Sequence, residues 1–453
     1  MTYDADTRLR LEPWRPVQFL GSKLRSLDRI AAAITTTTGT EPQTVWEPFT
    51  GSSVVAQRLA GDGHTMWSCD AMASSVQFAS ALLGCGRNAG TASVTQVVKD
   101  VRQAAHLDAP SPWDPWLAGE QSALANRDGF SLLRENTQLP QRWKSIEADS
   151  PLAGLFATVD TAATDGQVLA EGLLSSTYAG TYFGLTQAVH LERLRGAIDI
   201  VTPASSRASA WQRSVLLTAL CHAASAAVFS AGKHFAQPHR IREGKDLAFH
   251  ARRALSDRSV DVVSTFDAAV KSIDRVAASM TEHHDATQTR VENVTAETLK
   301  DRHVTAVYAD PPYTSQQYSR FYHVPEVMVA GVPADLQHAR GSVTRGLYPT
   351  DRYRSPFSSR TQAPGAFAHL ANTCASAGAQ LYVSYSGTRS AETGNARVVS
   401  MPDLVSIIGD AYGQPNVTIH ELDLRYRQFN HTTSGMSGRD DPEYLIIGRD
   451  HAR

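Results

Sequence analysis

Cysteine is scarce in this sequence. Four occur in 453 residues, at Cys69, Cys85, Cys221 and Cys374. Their spacing matches neither a zinc ligand set nor a disulfide framework, so a reducing cytosol is the plain expectation. Long apolar runs are missing as well, none approaching the roughly 18 residues of a membrane span. The opening MTYDADTRLRLEPWRP is polar and carries acids, unlike a secretory signal. Neither sign of charge dominates: 43 Lys and Arg stand against 45 Asp and Glu, a net charge of -2. Bulk charge therefore cannot hold the chain on nucleic acid, and any such contact must come from local patches. Repeats and low-complexity tracts are absent, and 30 Gly with 21 Pro exclude collagen-like or disordered architectures. What remains, at 42% hydrophobic and 19% charged, is a globular chain with room for two or three domains.

Periodicity then divides the chain. Leu24, Leu27, Ile30 and Ile34 recur at spacings of three and four, which predicts a helix. Thr44 to Trp46 reads as a strand, Glu47 to Gly51 as a turn, and a helix follows through Val54, Val55 and Leu59. His64 to Cys69 reads as a second strand ending at Asp70. Strand, turn, helix and strand point to a parallel sheet. Residues 101–300 look mostly helical, with Leu185, Val189, Leu194 and Ile198 near one face and an Ala-rich apolar stretch at 208–230. Pro110, Pro112 and Pro115 mark a loop and a candidate boundary. From 301 the alternation returns, with strands at Thr305–Ala309, Leu381–Ser386, Val417–Leu424 and Tyr444–Ile447. The expected architecture is one α/β sheet formed by 1–100 and 301–453, interrupted by a mostly helical insertion at 101–300.

Three segments carry candidate chemistry. Asp310-Pro311-Pro312-Tyr313 directly follows a strand. Proline cannot continue a central strand, so the chain leaves the sheet at its carboxyl end, where open α/β sheets bind ligands. A carboxylate, carbonyls able to accept hydrogen bonds and an aromatic face then share a small volume, which suits a planar base carrying an exocyclic amine. A rigid strand-ending turn is the alternative. Phe49-Thr50-Gly51 lies between a strand and a helix, where glycine admits close approach and the helix N-terminus favours negative charge. Asp70 ends the next strand, at the spacing of an acid that holds ribose hydroxyls; a helix N-cap is the alternative. The full G-x-G-x-x-G is absent, since Ser52 and Ser53 follow Gly51. Gln18 to Lys23 precedes the first helix. Either Ser22 caps that helix, or Phe19 and Lys23 line a nucleoside pocket. His283-His284-Asp285 reads as a solvated helix face rather than a metal site, and Trp113 and Trp116 as packing.

In this order the segments resemble the DNA adenine methylase family, the alpha group of S-adenosylmethionine-dependent amino-methyltransferases. The resemblance rests on Phe19-Leu20-Gly21-Ser22-Lys23, on Glu47-Pro48-Phe49-Thr50-Gly51 with Asp70, and on Asp310 to Tyr313 with the extension Thr314 to His323. Val383-Ser384-Tyr385-Ser386 is similar to the family's next catalytic-half strand. The resemblance implies a Rossmann-like methyltransferase fold with helices on both faces of the sheet. It implies S-adenosylmethionine as cofactor, held by Phe19, Gly21, Lys23, Glu47, Pro48, Phe49, Gly51 and Asp70, with Asp310 adjoining it. Asp310, Pro311, Pro312 and Tyr313 would hold the target base, and 101–300 would be the target-recognition domain. Two departures stand out. Ser52 and Ser53 replace further glycine, and Val291 to Ala296 does not reveal which residue meets the cofactor adenine.

The implied function is site-specific methylation of an adenine amine in DNA. Asp310 would accept one amine hydrogen and the Pro311 carbonyl the other, favouring a pyramidal nitrogen with a localised lone pair. Asp at the first motif position tilts the choice to adenine in DNA, since amino-cytosine relatives more often carry Ser there and RNA or protein-amide relatives Asn. A paired adenine must leave the stack at a cost of a few kcal/mol. Two basic stretches could offset it: Lys233, Arg240, Arg242, Lys245, Arg252 and Arg253, and then Arg340, Arg345, Arg352, Arg354 and Arg360, joined by Tyr318 and Arg320. A solvated surface is the alternative for each. Double-stranded DNA is the expected partner, with separate restriction or defence-system subunits as candidates. Restriction-modification, phage defence and epigenetic marking all fit. The expected location is cytoplasmic, at the nucleoid through DNA, with no metal and no membrane. An RNA adenine methyltransferase and an inactive nucleic-acid-binding relative are the alternatives.

Overall fold

The computed structural model describes residues 12–449 except 40, 88–93, 145, 204–206, 240, 242–245, 388–395 and 428–437. Its centre is a seven-stranded sheet built from β1 (Thr44–Glu47), β2 (Thr65–Asp70), β3 (Asp285–Gln288), β4 (Ala306–Ala309), β7 (Gln380–Ser386), β8 (Val417–Arg427) and β9 (Gly438–Gly448). A separate two-stranded ribbon, β5 (His338–Ala339) and β6 (Ser342–Val343), turns through Arg340 and Gly341, both at positive φ. The order in the large sheet is β3-β2-β1-β4-β7-β9-β8. The first five strands in that order are parallel, and β9 runs against both β7 and β8. This is a Rossmann-like methyltransferase architecture, as the sequence implies.

Alternation along the central strands sends side chains into two cores. Val45 and its partner Ala306 join Met66 and Tyr308 under α1 (Leu27–Thr38) and α2 (Val54–Gly61), which supply Ile30, Ile34, Val55 and Leu59. Trp46 and Val307 face the other way, against Phe367, Leu370, Leu404 and Ile408 of the helices at Ala363–Ala377 and Met401–Tyr412. Helices therefore cover both faces, and each fully buried Leu, Ile or Phe contributes about 1.5–3 kcal/mol. The helix α3 (Ala73–Leu82) gives Ala79 to the first core. Its Phe78 and Leu82 enter a third core made by the helices Leu185–Val201, Arg207–Ala227 and Val262–Ala278. That third core runs on through Val101 and the fully buried Trp113, which packs edge-on to Trp116. No described helix is long and apolar enough to cross a membrane.

Two local readings need correction. His283 to Asp285 is not a solvated helix face. Asp285–Gln288 is the edge strand β3, paired with β2, and the buried His284 accepts the Met66 N–H through Nδ1 at 3.2 Å. An edge strand of Asp-Ala-Thr-Gln needs only its backbone for pairing, so it shows no apolar alternation. The third strand of the sheet therefore lies inside the stretch read as insertion. The first helix begins at Leu27, so Leu24 lies outside it and is exposed. A turn from Lys23 to Ser26 precedes the helix, and Ser26 rather than Ser22 takes the N-cap position.

Candidate active site

The strand order reverses between β1 and β4, and the crevice there opens at their carboxyl ends, the expected ligand position in such sheets. The Glu47–Gly51 turn leaves β1 and Asp310 leaves β4, so both candidate motifs meet at this point. Gly51 has φ +51, and a Cβ there would meet the Phe19 ring at 2.9 Å. Its N–H donates to Asp70 Oδ2 at 3.0 Å, while Asp70 Oδ1 accepts the Met72 N–H at 2.9 Å. One carboxylate thus fastens the glycine turn and the entry to α3, which places Asp70 on the cleft wall with a backbone-bonding role as well. Ser53, buried at the start of α2, holds a left-handed backbone (φ 57) at a cost of roughly 1–2 kcal/mol.

The N-terminal segment is sewn to the chain that follows Tyr313. The Leu20 N–H donates to the Tyr322 hydroxyl at 2.8 Å, and Tyr318 donates to the Leu20 carbonyl at 3.3 Å. Phe19 stacks on Tyr322 with centroids 4.4 Å apart and on Tyr318 at 5.7 Å. The aromatic run of the Asp310 extension therefore anchors Phe19 against Gly51, and the three motifs close one site.

Among its charged groups Lys23, Glu47 and Glu443 are buried, while Asp70 and Asp310 are half-buried. Lys23 Nζ lies 3.0 Å from Asp310 Oδ1 and 3.5 Å from Glu443 Oε1. Burial opposes the ammonium, but Asp310 and Glu443 outweigh it and hold Lys23 protonated well above its ordinary range. Burial pushes Asp310 up to about 6, against the pull of Lys23. Asp70 is likewise raised by burial to about 6, its backbone hydrogen bonds opposing. Glu47 accepts from Thr50 Oγ1 at 2.7 Å and Ser68 Oγ at 3.3 Å, and burial raises it to about 8. A buried acid with a raised value favours the fold below its ordinary 4.5, and that contribution is lost as pH rises through 8. Glu47→Gln should therefore flatten the fall in stability between about pH 4.5 and about pH 8, read by urea denaturation across that range.

The cleft is lined by Phe19, Gly21, Lys23, Glu47, Pro48, Phe49, Gly51, Asp70, Asp310, Pro312 and Tyr318. Pro311 and Tyr313 are not on that wall. Tyr313 is buried beside it, edge-on to Tyr385, with Arg397 4.9 Å and Lys23 5.7 Å from its ring. Thr289, Arg290, Tyr353 and Ser355 line the cleft without a sequence signal, joined by Val291 after β3 and by Gln317 of the extension; Tyr353 and Ser355 belong to the strap Arg352–Ser355. Arg290 sits 5.1 Å over the Tyr353 ring, and Tyr353 donates to Glu292 at 3.4 Å. Gln317 grips the strap twice, accepting the Ser355 N–H at 2.8 Å and donating to its carbonyl at 3.3 Å. Glu326 is also unsignalled. It accepts the Ala73 and Ser74 N–H groups at 3.0 and 2.7 Å and so caps α3.

The basic stretches fare differently. Lys233 and Arg253 both pair with Asp257, at 2.8 and 2.9 Å, and Arg240, Arg242 and Lys245 lie outside the described residues. Arg320 and Arg352 each lie 4.9 Å over the Tyr348 ring. Burial, with Arg320 and Arg354 nearby, holds the Arg352 guanidinium below its usual value. Among the described residues no carboxylate pairs with Arg320, Arg352 or Arg354. Arg340 is exposed at the tip of the ribbon, and Arg345 donates to the Pro238 carbonyl at 3.1 Å, beside a second groove.

Residues 19–144 match the family model of the D12 class N6 adenine-specific DNA methyltransferase. The match bears out the DNA adenine methylase resemblance. It spans Phe19 to Lys23, the Gly51 turn and Asp70, and it continues into the helices beyond residue 101 that showed no resemblance by motif. Methyltransferases of this class act on adenine in DNA and generally use S-adenosylmethionine. The Asp310–Tyr313 turn lies outside the matched stretch, so its role rests on geometry. No curated protein and no solved structure gives a match to the chain.

Proposed function

We propose that this protein is an S-adenosylmethionine-dependent methyltransferase that modifies the exocyclic amine of an adenine extruded from DNA. The observation that carries the reading is the shared cleft, in which the Gly51 turn and Asp310 adjoin at the strand-order reversal with Lys23 bonded to Asp310.

The residues present fit the cofactor. The Ser22 and Ser319 hydroxyls on the cleft wall are buried without a hydrogen-bond partner, as a polar ligand would require. Asp70 is positioned for ribose hydroxyls, and the Gly51 turn admits close approach of the methionine portion. When bound, S-adenosylmethionine supplies a sulfonium methyl whose S–C bond breaks as the amine N–C bond forms, the bonding pair returning to sulfur. Asp310 accepts a hydrogen bond from one amine hydrogen, which helps to localise the nitrogen lone pair, while Pro311, buried off the cleft wall, stiffens the turn that holds Asp310. The carboxylate also stabilises the positive charge that develops on nitrogen. The surplus proton leaves the nitrogen to water after transfer. Tyr313 holds the turn through its packing on Tyr385.

Arg320 and Arg352, stacked on Tyr348, and the nearby Arg354 have no carboxylate partner among the described residues and suit DNA phosphates. Arg352→Ala should weaken duplex binding across sequences and reduce the slope of log affinity against log salt by about 1. Fluorescence anisotropy over a salt series reads this directly. The reading as a whole is tested by labelled methyl transfer from S-adenosylmethionine to duplex DNA and to structured RNA in parallel. The expected product is methylated adenine in the duplex. Preference for RNA would overturn the substrate assignment, and failure to bind the cofactor in calorimetry would overturn the activity.

A further inference from the structure

Glu443 belongs to none of the motifs. It lies near the start of the pairing of β9 with β7, opposite Ser386, the last residue of β7. Because β9 runs antiparallel to its neighbours, its early residues reach the same sheet edge at which β1 and β4 end. A residue far along the chain thereby enters the cleft's charge cluster. Its side chain is 7% exposed, and its Oε1 stands 3.5 Å from the Lys23 ammonium. The same nitrogen lies 3.0 Å from Asp310 and 3.4 Å from the Gly21 carbonyl. Two carboxylates thus share one buried cation. Pairing alone would be met by a single carboxylate, and a second one adds a buried charge that is costly to desolvate.

We propose that Glu443 is a positioning residue for methyl transfer, sharing the Lys23 ammonium so that the Asp310 carboxylate keeps the electron density needed to accept the target amine. The proposal rests on the role of Asp310 given above. A carboxylate bonded to its own lysine with no competitor would be a weak acceptor. Glu443 draws on the same ammonium and repels the Asp310 charge, and both effects make Asp310 hold a hydrogen more strongly. The groups facing Asp310 are Lys23 from the N-terminal segment, Glu443 from β9, Tyr308 from β4 and Glu47 from β1. Tyr308 and Glu47 are both raised by burial and stay uncharged near neutrality, so Lys23 and Glu443 set the balance. Burial and Glu443 raise Asp310 while Lys23 lowers it.

The test is the pH dependence of kcat/KM for duplex DNA in the wild-type protein, Glu443→Gln and Glu443→Asp. The acid limb of that profile reports ionisation in the free enzyme. Glu443→Gln is expected to move the limb down by about half a pH unit or more. Its plateau should fall roughly three- to tenfold, because Asp310 becomes a weaker acceptor. Glu443→Asp, with its carboxylate one methylene further from Lys23, should fall between the two, and it decides alone if the Gln variant does not fold. A lowered plateau with an unmoved limb in an active protein would show a merely structural residue and overturn the proposal. Absence of methyl transfer by the wild-type protein would instead overturn the reading of Asp310 on which it stands.

Discussion

Asp310→Asn is expected to lower the rate of methyl transfer about 10²–10³-fold while leaving the protein folded. The asparagine keeps the shape of the side chain and removes the charge that would oppose the positive charge growing on the amine nitrogen. The fold should survive because Lys23 retains Glu443 as a buried counter-ion at 3.5 Å. Single-turnover transfer of labelled methyl to duplex DNA measures the loss. An unchanged urea midpoint shows that the loss is chemical. Undiminished transfer in this variant would remove Asp310 from the mechanism, and with it the meaning assigned to the turn after β4.

Lys23→Ala should have the largest effect on stability. It leaves the buried Glu443 and the half-buried Asp310 without their cation, and breaking a buried pair from one side costs about 3–5 kcal/mol. The sign with pH separates this from a packing defect. In the wild-type protein the raised Lys23 value means that its contribution is fully present below the ordinary 10.5 and is lost only as pH rises through the folded-state value. Without the lysine the two carboxylates bind protons more tightly in the folded state than in the unfolded chain. The deficit should therefore shrink as pH falls and grow as it rises, which denaturation at two pH values on either side of neutrality would measure. A deficit independent of pH would mean that the lysine stem, not its charge, holds the segment.

The central sheet was legible in the sequence because its strands are buried. Thr44–Trp46, Thr305–Ala309 and Leu381–Ser386 must be apolar or β-branched to lie between two layers of helix, and that demand shows in any one sequence. Asp285–Gln288 was not legible, since an edge strand is held by backbone bonds to one neighbour and leaves no side-chain pattern. The site divides along a similar line. Gly51 and Asp310 sit on tight connections whose geometry restricts the residues allowed, so their chemistry could be read from spacing. Glu443 reaches the cleft only because β9 turns antiparallel, and its neighbours Asp440, Asp441 and Pro442 look like a solvated turn. Tyr353 and Gln317 arrive through folding back of a loop without periodicity. A cap at Ser22 was one of two readings of this segment because helix starts are placed only to within a few residues from sequence; the chain first makes a turn at Lys23.

The twofold grip of Gln317 on Ser355 has a mechanical consequence. Arg352, Tyr353 and Arg354 are consecutive, so the guanidiniums proposed to meet phosphate and the phenol on the cleft wall ride on one tethered ribbon of backbone. Neither can be displaced without pulling the other. On the proposed function, DNA that settles the arginines also biases how closely the ring covers the pocket, and the factor by which DNA changes cofactor affinity is the factor by which cofactor changes DNA affinity.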